Sequence, residues 1–293
     1  MSYLAKAQGT FINLPPAGAS TTFLMGSPMS NKSAHREITL TPFAMQETLV
    51  TVRQFSAYVE EGEKLGLHYG RFMYGPTGHV ASVIWGDSEQ AVANKSVTLD
   101  AGCSFASVSP IRKLIPTMDE YMGRLASLAD GGKQFMQLDH PAVMIDWYEA
   151  AAFAFSIGGR LPTEAEHMFA TGAGRAKVDT AEYGAEEKPS GLDYLATGPV
   201  KSHLPNPWGL YDMGGNACVW TQSWSGPMNA MSANDPVGPL DGESRVVCTG
   251  LWRLVDLLYF LATYPRLIAH YHAPNPENHY ENIGLRVVRP QNS

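Results

Sequence analysis

The chain has few cysteines, an excess of acidic over basic residues and no long uninterrupted apolar run. Its three cysteines, Cys103, Cys218 and Cys248, are too scattered for a disulfide framework or a zinc site with C-x-x-C spacing. We therefore interpret them as small buried thiols. The net charge of −7 argues against a nucleic-acid backbone or an anionic membrane as the main partner.

Targeting and membrane signals are also missing. The first thirty residues lack a basic start followed by an apolar core of the length of a secretory signal. The most apolar run, residues 251–269, contains Arg253, Asp256, Pro265 and Arg266, which a spanning helix would not readily carry. We predict no membrane insertion, and a location that is cytoplasmic by default or on a virion or cell surface reached by another route.

Common enzyme signatures are absent, although the composition is that of a globular protein. The sequence has no G-x-S-x-G, H-E-x-x-H, P-loop or dinucleotide fingerprint. With 44% hydrophobic and 17% charged residues, the 293-residue chain can bury a large core.

The most informative stretch is NPWGLYDMGGNACVWTQSW at 206–224, which holds three Trp and three Gly. Its apolar residues recur with a period of neither 3.6 nor 2, so we predict a buried irregular loop that is neither helix nor strand. Short polar side chains in turns usually bond the backbone, so Asn206, Asp212 and Asn216 are predicted to hold these turns. The alternative is a ligand role for these three residues.

This stretch resembles the N-x-x-G-L-Y-D-M-x-G-N-V-W-E-W signature of the formylglycine-generating-enzyme (sulfatase-modifying factor) family. Five further matches occur in family order: TFLMGS at 22–27, ETLVTVRQFSAYV at 47–59, HPAVMIDWYEAAAF at 140–153, GGRLPTEAE at 158–166 and IGLRVV at 283–288. The resemblance implies an α+β, C-type-lectin-like fold, with two helices packed on small antiparallel sheets and much irregular structure. It implies a single domain over 1–293, with an insertion at 62–138.

Local signals predict several elements of this fold. The predicted helices begin after the caps Thr51, Thr117, Asp146 and Thr163 and end near Gly62, Ala129, Ile157 and Ala170. Strands are predicted at 36–40, 244–248 and 284–289, and the last two bracket a distinctive C-terminal segment.

The resemblance implies a copper chemistry, but this sequence lacks the pair of cysteines that it requires. Enzymes of the formylglycine-generating type use two close cysteines in the C-terminal segment to bind copper and activate oxygen. Here Cys248 stands where the family's R-G-G-S-W begins, and no cysteine lies between Trp252 and Ile283. Because soft thiolates select Cu(I), we predict that the chain is not an enzyme of this type.

Calcium is the other metal that the resemblance suggests. In relatives the G-N-V-W-E-W run helps to bind calcium, but Val219 occupies its carboxylate position here. Calcium takes six to eight oxygen ligands, so we predict no bound cofactor. In the calcium alternative, Asp212, Asn216 and backbone carbonyls would be the ligands.

The segment 253–282 departs from the family, in which this interval is rich in Asn, Ser and Arg. It resembles the segment diversified in variable proteins of diversity-generating retroelements, a branch of this fold family in which reverse transcription randomises adenines. Asn codons of the AAY kind can then become most residues, but not Lys, Gln, Met, Trp or Glu. The segment contains no Lys, Gln, Met or Trp, although the chain has 13 Met, and Glu277 and Glu281 would be template-fixed.

We therefore predict a ligand-binding protein whose 252–282 face binds a protein or other macromolecule. Tyr and His give a large, stiff contact area, and an exposed Leu, Phe and Tyr cluster otherwise has no reason to be tolerated. Trp252 is predicted to be a buried anchor. The predicted ligand-binding residues, expected to be mostly exposed, are Asp256, Tyr259, Phe260, Tyr264, Arg266, His270, Tyr271, His272, His279 and Tyr280.

Two alternatives stay open for this segment. Leu251, Leu254, Val255, Leu258 and Leu261 also have the spacing of an ordinary buried amphipathic helix. A metal-dependent oxidoreductase of the same family, with altered chemistry, would instead use His270, His272 and His279 around iron or copper.

Overall fold

The computed structural model describes residues 8–15, 20–25, 36–75, 79–95, 107–172, 197–226, 232–248 and 275–291, and the backbone of 270–273. Within these residues there are five α-helices: α1 Val52–Leu65, α2 Glu89–Asn94, α3 Met118–Ala126, α4 Trp147–Ser156 and α5 Glu164–Thr171. The strands are β1 Phe11–Leu14, β2 Thr21–Met25, β3 Arg36–Leu40, β4 Phe43–Gln46, β5 Tyr69–Tyr74, β6 Val80–Gly86, β7 Ser107–Val108, β8 Arg112–Lys113, β9 Cys218–Trp224, β10 Arg245–Cys248, β11 His270–Ala273, β12 Ile283–Gly284 and β13 Val288–Pro290.

The strands form four small sheets. Their orders are β1-β4-β13, β11-β10-β9-β12, β2-β3 and β6-β5-β7, with β8 also pairing with β5. All the pairings are antiparallel except that of β12 with β9. Helices packed on small sheets are the architecture that the resemblance implies, so the predicted fold class is confirmed.

The four predicted helices begin at their predicted caps. Thr51, Thr117, Asp146 and Thr163 each accept a hydrogen bond from the backbone N–H three residues on, within a capping box. These boxes satisfy N–H groups that the helix itself leaves unpaired, so they fix the starts from local sequence alone.

Two predicted helix ends are wrong. The helix α1 continues past Gly62 to Leu65 and ends at Gly66, whose φ of 64° is left-handed. Gly62 is buried inside the helix, where an added Cβ would lie 2.7 Å from a side-chain carbon of Ile115. This glycine therefore serves close packing and does not end the helix. The end of α3 is also earlier than predicted, at Ala126, where a 3-10 turn follows.

The predicted irregular character of 206–224 is wrong for its second part. Cys218–Trp224 is the strand β9, which pairs with both β10 and β12. Its first six residues are all buried, so its sequence lacks the polar and apolar alternation of a half-exposed strand. The residues before it, 206–217, contain no helix or strand.

The core consists of two clusters of buried side chains. The larger cluster joins α1, α3 and α4 to β9, with Trp147, Phe153 and Trp220 fully buried. The smaller cluster joins β2, β3 and β4 to α5 and to Leu210. None of the described helices has the length and apolar character needed to cross a membrane.

The stretch 62–138, which the sequence left least readable, contains β5 to β8 and the helices α2 and α3. Buried residues of this stretch, including Phe72, Leu114 and Tyr121, pack into the larger cluster. That it is an insertion relative to the family remains a prediction. The cysteines Cys218 and Cys248 are buried, as predicted, and Cys103 lies outside the described residues.

Candidate ligand-binding site

The sheet around β9 brings the ends of the C-terminal segment together. Cys248 of β10 and Gly284 of β12 both lie beside Val219, on opposite sides of β9. Cys248 also pairs with His270 of β11, so residues 249–269 leave and re-enter the sheet at adjacent positions. The segment is therefore anchored at both ends on one framework.

The predicted single strand at 284–289 is wrong. It is divided into β12, which joins the sheet of β9, and β13, which joins β4 and β1. Between them Arg286 is fully buried, and its Nη1 donates to the carbonyls of Gln46 (2.8 Å) and Glu47 (3.0 Å). Its Nη2 donates to the carbonyl of Tyr211 at 2.5 Å. A single side chain thus ties the two sheets to the loop before β9.

The polar residues of that loop serve the backbone, as predicted. The Asn206 Oδ1 accepts the N–H groups of Trp208 and Leu210 (both 3.1 Å). Asn216 exchanges two hydrogen bonds with Gly198, and Asp212 accepts the N–H of Lys201 at 3.2 Å. The side-chain oxygens that the calcium alternative would use therefore already accept backbone N–H groups. That the chain holds no cofactor stays a prediction.

Most of the predicted ligand-binding side chains are not among those described. Asp256, Tyr259, Phe260, Tyr264 and Arg266 lie outside the described residues, as do Trp252 and the leucine-rich stretch 251–261. His270, Tyr271 and His272 lie on β11, where the backbone alone is described.

His279 and Tyr280 are half-buried, which differs from the predicted exposure. The N–H groups of Met144 and Trp147 donate to the carbonyls of Tyr280 (3.0 Å) and Pro276 (2.9 Å). The Tyr280 ring lies 5.9 Å from that of Trp220. Residues 275–282 therefore pack against the start of α4, and this part of the segment belongs to the framework.

His279 lies beside two carboxylates of the helix α4 start, and the side chains of His270 and His272 lie outside the described residues. The ligand atoms of Asp146, Glu149 and His279 all lie within 4.8 Å of one another. His279 Nε2 is 3.5 Å from Glu149 Oε2, and Arg124 Nη1 donates to both oxygens of Glu149 at 2.8 and 3.0 Å. The sequence did not predict this cluster, because Asp146 is interpreted only as a helix cap and no motif singles out Glu149.

The pKa values of the two carboxyl groups in this cluster are shifted in opposite directions. Burial and the neighbouring Glu149 carboxylate raise the pKa of Asp146 well above its usual value. Burial also acts to raise the pKa of Glu149, but the neighbouring His279 imidazole and the hydrogen-bonded Arg124 guanidinium outweigh it and hold that pKa below the usual value. Arg124 thus already supplies a positive charge to the carboxylate that a metal ion would use.

Arginine and aromatic side chains form a second cluster nearby. The guanidinium carbon of Arg245 lies 3.6 Å from the ring centre of Trp147 and 3.5 Å from that of Trp224. Arg112 lies 3.6 Å over the ring of Tyr148. Burial lowers the pKa of Arg245 to about 9, which leaves it protonated at neutral pH. No sequence motif pointed to this cluster.

A family model matches most of the sequence. The model of the sulfatase-modifying factor enzyme 1-like domain matches residues 16–291. The chain therefore belongs to the formylglycine-generating-enzyme, or sulfatase-modifying factor, family.

Two curated relatives show how much of a longer protein this chain covers. Serine/threonine-protein kinase pkn1 of Chlamydia pneumoniae is 37% identical over 157 residues, which are 51% of this chain and 24% of that protein. A formylglycine-generating enzyme of Streptomyces coelicolor is 28% identical over 253 residues, covering 79% of this chain and 74% of the enzyme. The matched region is thus about a quarter of the kinase's length.

Two solved structures share the fold. The structure of PvdO from Pseudomonas aeruginosa has a TM-score of 0.61 at 18% identity and covers 98% of this chain and 97% of its own. The match to Treponema denticola variable protein 1 has a TM-score of 0.54 at 18% identity and covers 95% of this chain and 94% of that protein's chain. Both likenesses concern the fold alone.

Proposed function

We propose that this chain is a ligand-binding protein whose segment 252–282 is diversified by a retroelement. The observation that carries the proposal is the pairing of Cys248 with His270, which anchors both ends of 249–269 on one buried framework. Binding residues commonly lie on loops that a rigid scaffold holds in place, and such loops tolerate change without loss of the fold. The ligand is a protein or other macromolecule.

Two further observations support this function. The segment 253–282 contains no Lys, Gln, Met or Trp, four of the five residues that adenine-directed change of Asn codons cannot give, and the fifth, Glu, is present at 277 and 281 and would be template-fixed. The fold is shared with Treponema denticola variable protein 1 along 95% of this chain. A constant framework with a varied segment accounts for both features.

The copper chemistry of the family does not fit the thiols of this chain. Cys218 and Cys248 are both buried, and burial with the nearby Glu164 carboxylate raises the pKa of Cys248 well above its usual value. The thiolate is the form that binds metal, and burial disfavours it. We therefore propose a binding protein and derive no oxygen chemistry.

The DNA that flanks the gene tests the diversification directly. A near-copy of the codons for about 250–286 is expected beside a reverse transcriptase gene, with adenines at the positions where the two copies differ. Adenine-directed change permits differences at template adenines alone. Differences spread over all four template bases would contradict the proposal.

The metal-dependent oxidoreductase is a second candidate, which the cluster of Asp146, Glu149 and His279 favours. Two carboxylates and an imidazole are suitable ligands for iron. We expect no stoichiometric transition metal, because Arg124 already binds both oxygens of Glu149.

Metal analysis of the purified protein separates the two candidates. The variant His279→Ala is compared with His203→Ala, which changes an exposed histidine of another loop. One equivalent of iron or copper that is lost in His279→Ala and retained in His203→Ala would establish the enzyme candidate and contradict our expectation.

A further inference from the structure

Arg245 is a buried cation that has no buried anion beside it among the described residues. The residue is only 2% exposed, and its guanidinium group lies between the rings of Trp147 and Trp224. Its one hydrogen bond runs from Nη1 to the carbonyl of Gln222 at 2.5 Å, and within the described part of the chain no carboxylate pairs with it. Stacking on two indoles offsets part of the cost of burying the charge, but the described residues supply no carboxylate as its counter-charge.

Arg112 lies at the outer end of the same aromatic cluster. It covers the ring of Tyr148, which meets the Trp147 ring edge-on with centroids 5.1 Å apart. Its Nη1 bonds Glu277 Oε1 at 2.8 Å, and the Glu277 side chain is 57% exposed. The two guanidinium groups therefore flank one stack of rings, and the outer one is held by a carboxylate that is largely in solvent.

Both guanidinium groups have unused donors. The Nε atoms of Arg112 and Arg245 are buried and have no acceptor among the described residues. Arg286 has a similar Nε, but its terminal nitrogens already bond three carbonyls and no acid is needed there. Arg245 bonds one carbonyl, and Arg112 bonds one exposed carboxylate. The arginine and aromatic cluster therefore still has N–H donors that no described residue accepts.

We propose that Arg112 binds a carboxylate group of the ligand, and that Arg245 behind it provides a fixed positive charge for the same anion. A carboxylate matches the planar fork of a guanidinium, and the bond in place with Glu277 uses the same chemistry. The position fits the proposed function because Glu277 belongs to the segment 252–282. An acidic side chain or chain terminus of a macromolecular ligand would replace Glu277 on Arg112.

Titration with succinate at fixed ionic strength tests the site in the whole protein. The indole N–H signals of Trp147 and Trp224 are followed by NMR, and we expect a saturable shift. Arg112→Gln is expected to weaken succinate binding about tenfold or more, because a charge-assisted fork is lost. Glu277→Gln is expected to strengthen it several-fold, since it removes the competing carboxylate.

Three further arms give the controls. Arg53→Gln removes an exposed arginine from α1 and is expected to leave succinate binding unchanged. Arg245→Lys keeps the charge and is expected to retain binding that Arg245→Gln loses, and thermal unfolding shows whether each variant is folded. Inorganic phosphate in place of succinate separates a carboxylate site from a general anion site, and equal affinity for both would overturn the carboxylate assignment.

The site is refuted if wild-type protein gives no saturable shift, or if Arg112→Gln and Arg53→Gln titrate alike. This part rests on the proposed function only in assigning the carboxylate to a macromolecular ligand. Of the residues changed in the titration only Glu277 lies within 252–282, and it would be template-fixed, so a failure of the site and a failure of the flanking-DNA test are separate results.

Discussion

Replacing Arg286 with Met is expected to lower the free energy of unfolding by about 3–5 kcal/mol, because one buried and two part-buried carbonyl groups lose their donor. These carbonyls belong to Gln46, Glu47 and Tyr211. Met is similar in length to Arg and fills most of the space, so the loss reports the hydrogen bonds more than a cavity. The gain from no longer burying a charge offsets part of this loss, since burial already lowers the pKa of Arg286 to about 10.

The matched control for this prediction is Arg289→Met, three residues further on. Arg289 is half-buried and lies 3.9 Å over the ring of Phe11, an arrangement that contributes about 0.5–1 kcal/mol at such sites. Urea unfolding of both variants at one temperature gives the comparison. If Arg286→Met were within 1 kcal/mol of Arg289→Met, Arg286 would not be what joins the two sheets.

The sequence predicted what depends on local chemistry. The caps at Thr51, Thr117, Asp146 and Thr163 act on N–H groups within one helical turn, so a short motif suffices to place them. The family resemblance supplied the arrangement of these elements.

The misreadings concern features that tertiary packing decides. Gly62 has the appearance of a helix stop but is required by its contact with Ile115. The strand β9 has no alternation because both its faces are covered. Sequence reasoning had no means of distinguishing these cases, since in each the deciding contacts come from distant parts of the chain.

The candidate site likewise has some features that the sequence predicts and others that depend on tertiary packing. The first bracketing strand could be predicted, because 244–248 is a short run with apolar residues beside turn residues, whereas the division of 284–289 into β12 and β13 could not. The cluster of Asp146, Glu149 and His279 and the stacking of Arg245 between Trp147 and Trp224 could not, because their members come from different elements. The spacing of His270, His272 and His279 in the sequence does not indicate the carboxylates that lie beside His279.

The last prediction concerns the two tryptophans that join α4 to β9. The indole N–H of Trp147 donates to the carbonyl of Thr221 at 2.7 Å, and that of Trp220 donates to the carbonyl of Ile145 at 2.9 Å. These reciprocal bonds link the start of the helix to the middle strand of the sheet that anchors the C-terminal segment. Trp220 also supports the ring of Tyr280.

Trp220→Ala is expected to cost about 3–5 kcal/mol of folding free energy, because a fully buried ring is removed and a cavity remains. Trp220→Phe keeps most of the ring and is expected to cost about 1–3 kcal/mol, the effect of leaving the Ile145 carbonyl without its donor. Trp208→Ala is the control, since Trp208 is half-buried and packs on Phe169 in the other cluster.

Hydrogen exchange shows whether the loss of stability reaches the C-terminal segment 252–282. The N–H groups of Met144 and Cys218 donate to the carbonyls of Tyr280 and Asn282, so their exchange reports how firmly 275–282 is held. Because the Trp220 ring lies against Tyr280, Trp220→Ala is expected to speed exchange at both amides more than Trp208→Ala does. Equal exchange in the two variants at equal stability would show that Trp220 stabilises the core without holding the segment, and the anchoring of the segment would then depend on the strand pairing alone.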